Sequence, residues 1–195
     1  MNKKTRSYAY AGIGSRTTPQ EILETCFMIG NNLAIEGLTL RSGGAPGADT
    51  WFEKGVDSAR KYALEWNPGV SQPIMKEIYI PWNGFNGRTD AELGVYSEIA
   101  PEAFEIAKKY HPYWDNLSEG AKKLQARNSY QVLGDPFDNP VDFIVYWTPE
   151  GKITGGTGQA LRIAKDLNIK VFNLALYERS EDAYPEIINY IKTLC

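Results

Sequence analysis

The chain has 195 residues, 43% of them hydrophobic and 23% charged, with a formal net charge of −3. A single α/β domain of this length buries roughly 70% of its unfolded surface and needs no staples. The acidic balance excludes a generic basic nucleic-acid coat and leaves open a local basic patch.

Residues 8–13 read as a buried strand ending at Gly12 and Gly14. A helix follows, with Thr18 as N-cap, Pro19 at its first position and Glu21 completing a capping box. Its apolar stripe is Ile22, Cys26, Ile29 and Leu33, and Gly37 ends it. A second strand, residues 38–41, runs into Ser42-Gly43-Gly44-Ala45-Pro46-Gly47-Ala48-Asp49. The next helix shows Phe52, Val56, Ala59 and Ala63 on one face. Residues 77–81 alternate as a third strand, and the irregular stretch 82–98 reads as a lid or insertion. A helix over 101–110 and another from Ser118 to Gly134 precede the continuous apolar run Asp142-Phe143-Ile144-Val145-Tyr146-Trp147. Such a run fits a central parallel strand covered on both faces. Pro149-Glu150-Gly151 turns the chain, and Gly155-Gly156-Thr157-Gly158 opens a helix carrying Ala160, Ala164 and Leu167. A strand over 169–172 and a helix over 184–194 close the chain. The alternation predicts one doubly wound, mostly parallel sheet between two helical layers, a Rossmann-like three-layer αβα domain.

No apolar run approaches the roughly 18 residues of a membrane span, and no apolar region follows the basic amino terminus as in a signal peptide. The expectation is a soluble, intracellular, cytoplasmic protein. Cys26 and Cys195 make neither a disulfide framework nor a zinc knuckle. The single histidine, His111, has no neighbouring ligand, so neither a metal nor a cofactor is expected, and any Ser-His-Asp triad would rest on it. His111 sits in Tyr110-His111-Pro112-Tyr113-Trp114, which reads as an inter-helix packing corner.

In a doubly wound sheet, ligands bind outside the carboxyl ends of the strands. Four segments fall there: Gly14-Ser15-Arg16, residues 42–49, 81–88 and 148–159. Glycines let backbone approach a phosphate, and helix starts offer free N–H groups and a positive dipole end. The expected ligand is an anion, most readily a phosphate. The strings match neither GxxxxGK[ST] nor GxGxxG, which disfavours a P-loop ATPase and a standard dinucleotide site. The candidate binding residues are Gly14, Ser15, Arg16, Ser42, Gly43, Gly44, Ala45, Gly47, Asp49, Trp82, Arg127, Gly155, Gly156, Thr157, Gly158 and Gln159. Arg16, Arg41 and Arg127 are the candidate guanidinium clamps, Arg41 with the alternative of an ion pair; Arg162 reads as a surface residue. Trp82, Phe85, Tyr96 and Trp147 could stack a base, with Phe85 better suited to covering the sheet edge.

SGGAPGAD after a strand, ARNSYQVL on a helix and GGTGQAL after a second apolar strand resemble the SLOG superfamily, from about Tyr8 to Phe172. That superfamily holds LOG-type phosphoribohydrolases, DprA-type recombination mediators, YpsA-like proteins and sensors of nucleotide-derived signals. The Gly14-Ser15-Arg16 opening is most similar to YpsA-like and phage-encoded members, which would place the chain in a host cytoplasm. The LOG enzymes open the last ligand-side helix with PGGxGTxxE. Gly155, Gly156 and Gly158 match its glycines, Thr154 replaces the proline, and Gln159 replaces the threonine. The glutamate position falls on Arg162, beside Leu161, so the motif carboxylate is absent. Arg127 resembles the LOG arginine, and Arg127-Asn128 equally resembles the DprA pair. SGGAPGAD is closer to the DprA loop SGxAxGxD, but Trp51, Phe52 and Glu53 stand where DprA carries a histidine. The resemblance implies a homodimer.

N-glycosidic hydrolysis needs a carboxylate near the anomeric carbon. Asp49 and Glu53 are the candidate catalytic carboxylates, with Asp90 and Glu92 behind them. The alternatives are an N-cap for Asp49, a helix-dipole partner for Glu53 and solvated charges for Asp90 and Glu92. The functional expectation is a protein that binds a nucleoside phosphate, an ADP-ribose-like molecule or a cyclic-nucleotide signal, as a sensor or sequestering protein. Hydrolysis of a nucleoside monophosphate at its N-glycosidic bond is one alternative. Single-stranded DNA binding in the manner of DprA is another, and a purely structural Rossmann-like domain is a third.

Overall fold

The computed structural model describes residues 7–66, 75–153 and 155–194. Thr154, Cys195 and the first six residues, all noted above, lie outside them. Six strands form one sheet: β1 (Ala9–Gly14), β2 (Thr39–Ser42), β3 (Lys76–Tyr79), β4 (Val95–Tyr96), β5 (Phe143–Trp147) and β6 (Lys170–Asn173). Their order is β4-β3-β2-β1-β5-β6, and every neighbouring pair is parallel. The helices are α1 (Gln20–Ile35), α2 (Ala48–Trp66), α3 (Pro101–Tyr110), α4 (Glu119–Leu133), α5 (Gly155–Asp166) and α6 (Ala183–Leu194). This is the doubly wound, Rossmann-like architecture the alternation predicts. Among the described residues, no helix is long and apolar enough to cross a membrane.

The strand side chains divide between the two faces, as period-2 alternation requires. On one face Tyr10, Leu40, Phe143 and Phe172 pack with Ile29, Phe52 and Ile187 of α1, α2 and α6. Tyr10 stacks on Phe143 at 5.6 Å and meets Phe52 edge-on at 6.4 Å. On the other face Ile13, Ile144 and Tyr146 pack with Val132 of α4 and Ile163 of α5. The central position of β1 and β5 explains their near-continuous apolar sequence.

Two local readings change. Pro19 is the N-cap residue of α1, without a side-chain cap, and the Thr18 hydroxyl instead donates to Ser15 O at 2.6 Å. The capping box is therefore replaced by a bond that holds the loop after β1. At the other end Gly37 does close α1: Gly37 N bonds Ala34 O and Leu38 N bonds Leu33 O, a Schellman pair with Gly37 at φ +86°. The second change concerns 82–98, which contains the edge strand β4 and a 3-10 turn at Phe85–Gly87. Phe85 and Val95 are buried in the main core.

Candidate functional site

The strand order reverses between β1 and β5. The chain leaves β1 toward α1 on one face and leaves β5 toward α5 on the other, which opens a crevice at their carboxyl ends. Gly14 is in register with Trp147, and Ser15 N donates to Trp147 O at 3.0 Å. A Cβ on Gly14 would stand 2.7 Å from Trp147 O and from Ala48 Cβ, so only glycine allows this closure. The crevice holds a pocket of about 340 Å³, within the usual size range for small-molecule sites.

The floor is polar and buried. Asp49 lies in the first turn of α2 rather than at its N-cap. Its Oδ1 accepts from Gly14 N at 3.1 Å, and Oδ2 stands 3.7 Å from Arg127 Nη1. Burial pushes the Asp49 carboxyl up to about 6, against the opposing pull of Arg127 and of the Gly14, Ala45 and Gly43 amides. Burial likewise lowers Arg127, opposed by Asp49, yet a guanidinium stays charged at neutral pH. With its amide oriented to satisfy both groups, Gln131 accepts from Gly43 N at 2.8 Å and from Arg127 Nη1 at 3.0 Å. Arg127 Nε has no hydrogen-bond partner among the described residues.

One wall is the start of α5. Gly155, Gly156 and Thr157 line the pocket there, where unbonded N–H groups carry the positive end of the helix dipole. Asn128 Nδ2 donates to Gly156 O at 3.1 Å and fixes that turn against α4. Arg16 stands exposed at the mouth. Ile13, Leu124 and Pro149 supply apolar surface, and Ser15, Ala45 and Gln125 complete the lining with Thr148. Thr148 is 3% exposed, and its hydroxyl has no hydrogen-bond partner among the described residues.

The crevice thus gathers Gly14, Ser15, Arg16, Ala45, Asp49, Arg127, Gly155, Gly156 and Thr157 from the expected set. Other expected residues lie elsewhere. The Ser42 hydroxyl donates to Gly12 O at 2.6 Å inside the sheet. Gly43 backs onto Arg127 and Gln131, and Gly47 onto Ser15 and Arg16, so both shape the pocket from behind. Gly44 packs against Ile78 and Ile80. Gly158 packs on Ile153, and Gln159 is fully buried with Nε2 donating to Ala107 O at 2.8 Å. Glu53 is committed: Arg88 grips both its oxygens at 2.8 Å, and Lys76 Nζ bonds it at 2.8 Å. Burial opposes ionisation of Glu53, but the Arg88 and Lys76 bonds outweigh it and hold the carboxyl below its usual range. Asp90 accepts from Ser97, and Glu92 from Arg88.

Arg41 is turned away from the crevice. Its Nε donates to Glu77 at 2.6 Å and its Nη1 to Asn139 O, pinning β2 to β3 and to the loop before β5. We expect Arg41→Met to cost about 2 kcal/mol in urea unfolding while leaving ligand affinity intact, since it leaves Glu77 with only the Tyr79 hydroxyl as partner and does not touch the pocket. Arg162 spans from Tyr110 O at 2.7 Å to Gln159 Oε1 at 3.0 Å and so ties α5 to the end of α3. The aromatics also leave the pocket. Trp82 meets Phe85 edge-on at 5.3 Å, Tyr96 lies 5.5 Å from Tyr79, and Trp147 lines a separate hollow with Tyr177. His111 contacts Trp114 edge-on at 6.5 Å, in line with a packing corner. Among the described residues, no group of three His, Cys, Asp or Glu side chains could hold a metal ion.

Ile13, Leu124, Gln125, Asn128 and Gln131 line the pocket outside the expected set, and Thr148 and Pro149 begin the expected 148–159 segment. The signal for the helical ones was present, because Leu124, Arg127, Asn128 and Gln131 recur at the spacing of one α4 face.

Sheet and crevice together define a Rossmann-like α/β protein with a pocket at its topological switch point. No protein-family model matches the chain, and no curated protein matches it in sequence. Solved structures share the fold. DNA processing protein A of Helicobacter pylori, a structure concerned with single-stranded DNA binding, aligns with TM-score 0.55 and 16% identity, covering 93% of this chain and 72% of that one. The Moco carrier protein of Chlamydomonas rheinhardtii aligns with TM-score 0.50 and 15% identity, covering 97% of this chain and 85% of that one.

Proposed function

We propose that the chain binds a nucleotide-derived ligand in the crevice, with a phosphate against Gly155, Gly156 and Thr157 at the start of α5 and Arg16 closing over it. The observation that carries this reading is the convergence on one pocket of a glycine-opened helix start, the exposed Arg16 at the mouth and the buried Arg127 in the floor. The protein acts as a sensor or sequestering protein rather than a hydrolase. Asp49 is the carboxylate in the pocket lining, and its oxygens face Gly14 N and Arg127. The motif glutamate position is Arg162, which is spent on Tyr110 and Gln159.

The test is incubation with AMP, GMP, CMP, UMP, ADP-ribose, NAD and cyclic nucleotides, followed by mass spectrometry and calorimetry. One compound is expected to be retained intact, and Arg16→Ala is expected to weaken it by about tenfold. Release of free base, abolished by Asp49→Asn, would make the protein an N-glycosidase instead. Single-stranded DNA is the second reading, supported by the likeness to DNA processing protein A. A salt-steep shift of labelled single strands, with no nucleotide retained, would favour it.

A further inference from the structure

One face of α4 carries a chain of amides whose polarity is fixed at both ends. At the inner end Gly43 N and Arg127 Nη1, which can only donate, bond Gln131 Oε1 at 2.8 and 3.0 Å. Gln131 Nε2 is then the donor on the other side, and it bonds Asn128 Oδ1 at 3.1 Å. That leaves Asn128 Nδ2 to donate outward, to Gly156 O at 3.1 Å and to Gln125 Oε1 at 3.2 Å. A backbone carbonyl only accepts, so Gly156 fixes the same orientation from the far end. The last amide of the chain is Gln125, with its oxygen turned to Asn128. Its Nε2 makes no hydrogen bond among the described residues, on a half-buried side chain of the pocket lining.

The place of this free end follows from the same bonds. Gln125 Oε1 and Gly156 O share one donor atom, so the Gln125 amide stands beside the start of α5, where the phosphate is placed. Amides linked in one direction polarise one another, and this chain begins at the buried guanidinium of Arg127. Its outer end is a donor whose orientation is set before any anion arrives, which lowers the cost of binding one.

We propose that Gln125 is a binding residue of the crevice, whose Nε2 donates to an oxygen of the ligand's phosphate and holds the anion between α4 and the start of α5. This rests on the reading that a phosphate sits at that helix start.

The experiment compares the wild-type chain with Gln125→Met and Gln125→Glu. Calorimetry measures the best-bound nucleotide of the panel and inorganic phosphate, and thermal unfolding is followed in parallel. Gln125→Met keeps the length of the side chain and removes the donor. It is expected to bind both probes about tenfold more weakly, by the same factor, while melting close to wild type. Gln125→Glu keeps an acceptor for Asn128 but turns a charged oxygen toward the phosphate. It is expected to bind both probes more weakly than Gln125→Met does. A glutamine that only braces Asn128 and Gly156 gives the reverse order, because glutamate preserves that bond and methionine breaks it. The reverse order overturns the proposal. So does wild-type affinity in Gln125→Met, and so does a loss confined to the nucleotide, which would set Gln125 against the sugar or base. If wild type binds inorganic phosphate but no nucleotide, the nucleotide reading fails and the phosphate series alone decides this inference. If wild type binds neither, both fall together.

Discussion

Gly43→Ala is expected to abolish ligand binding and to destabilise the fold by about 3 kcal/mol. A Cβ at this position would land on Arg127 Nη1 and the Gln131 amide. Neither can retreat at low cost. Arg127 is held between Asp49 and Gln131 with 5% of its surface exposed, and Gln131 takes the Gly43 N–H. The open direction for the guanidinium is the pocket, where it would occupy the ligand's place. Gly156→Ala makes the comparison for stability. Its Cβ would stand 3.2 Å from Asn128 Nδ2, close enough to disturb the α5 start but not to displace a buried charge. Urea unfolding and calorimetry on both variants check this. Wild-type stability and affinity in Gly43→Ala would show that Arg127 has another resting place and that the floor is not built around it.

Asp49→Ala is expected to cost about 4 kcal/mol at pH 7. It removes the acceptor for Gly14 N and leaves Arg127 buried beside no counter-charge. The pH dependence gives a sharper check. The folded-state value of Asp49 is about 6, raised from 3.8 by burial. A carboxyl raised in this way stabilises the fold most below its unfolded value, and that stabilisation is lost as pH rises through the folded value. The gap between wild type and Asp49→Ala is therefore expected to widen as pH falls from 7 to 4, on the order of 2–3 kcal/mol. Every other carboxylate titrates in both proteins, so the difference isolates Asp49. A gap that narrows toward acid pH would mean that the Arg127 attraction outweighs burial.

The layer order and the position of the crevice follow from local sequence. Strands and helices alternate, β5 reads as one apolar run, and glycine loops mark strand ends, so Gly14, Asp49, Arg127 and Gly155 converge once the sheet is wound. What the sequence conceals is mostly long-range pairing. Glu53 reads as a free carboxylate because its partners Arg88 and Lys76 are far along the chain. Arg41 reads as a clamp or an ion-paired residue, and its partner Glu77 joins it only through strand pairing. Gln159 sits beside the glycine loop in sequence, but helix phase turns it toward Ala107. β4 escapes any periodicity argument, since two residues hold no pattern. Thr18 has the right residue type for a cap, yet α1 starts one residue later with Pro19 at the N-cap, and the Thr18 hydroxyl donates to Ser15 O.

The outer strands have a consequence for self-association. The sheet ends in β4, two residues long, on one side and in β6, four residues beginning with the exposed Lys170, on the other. An outer strand recruits another chain by offering a long, flat ladder of free amides and carbonyls. Here one rim is too brief to template a partner and the other opens with a charge. Continuation of the sheet from one molecule into the next is disfavoured at both rims, so copies of this chain would meet through helices and loops.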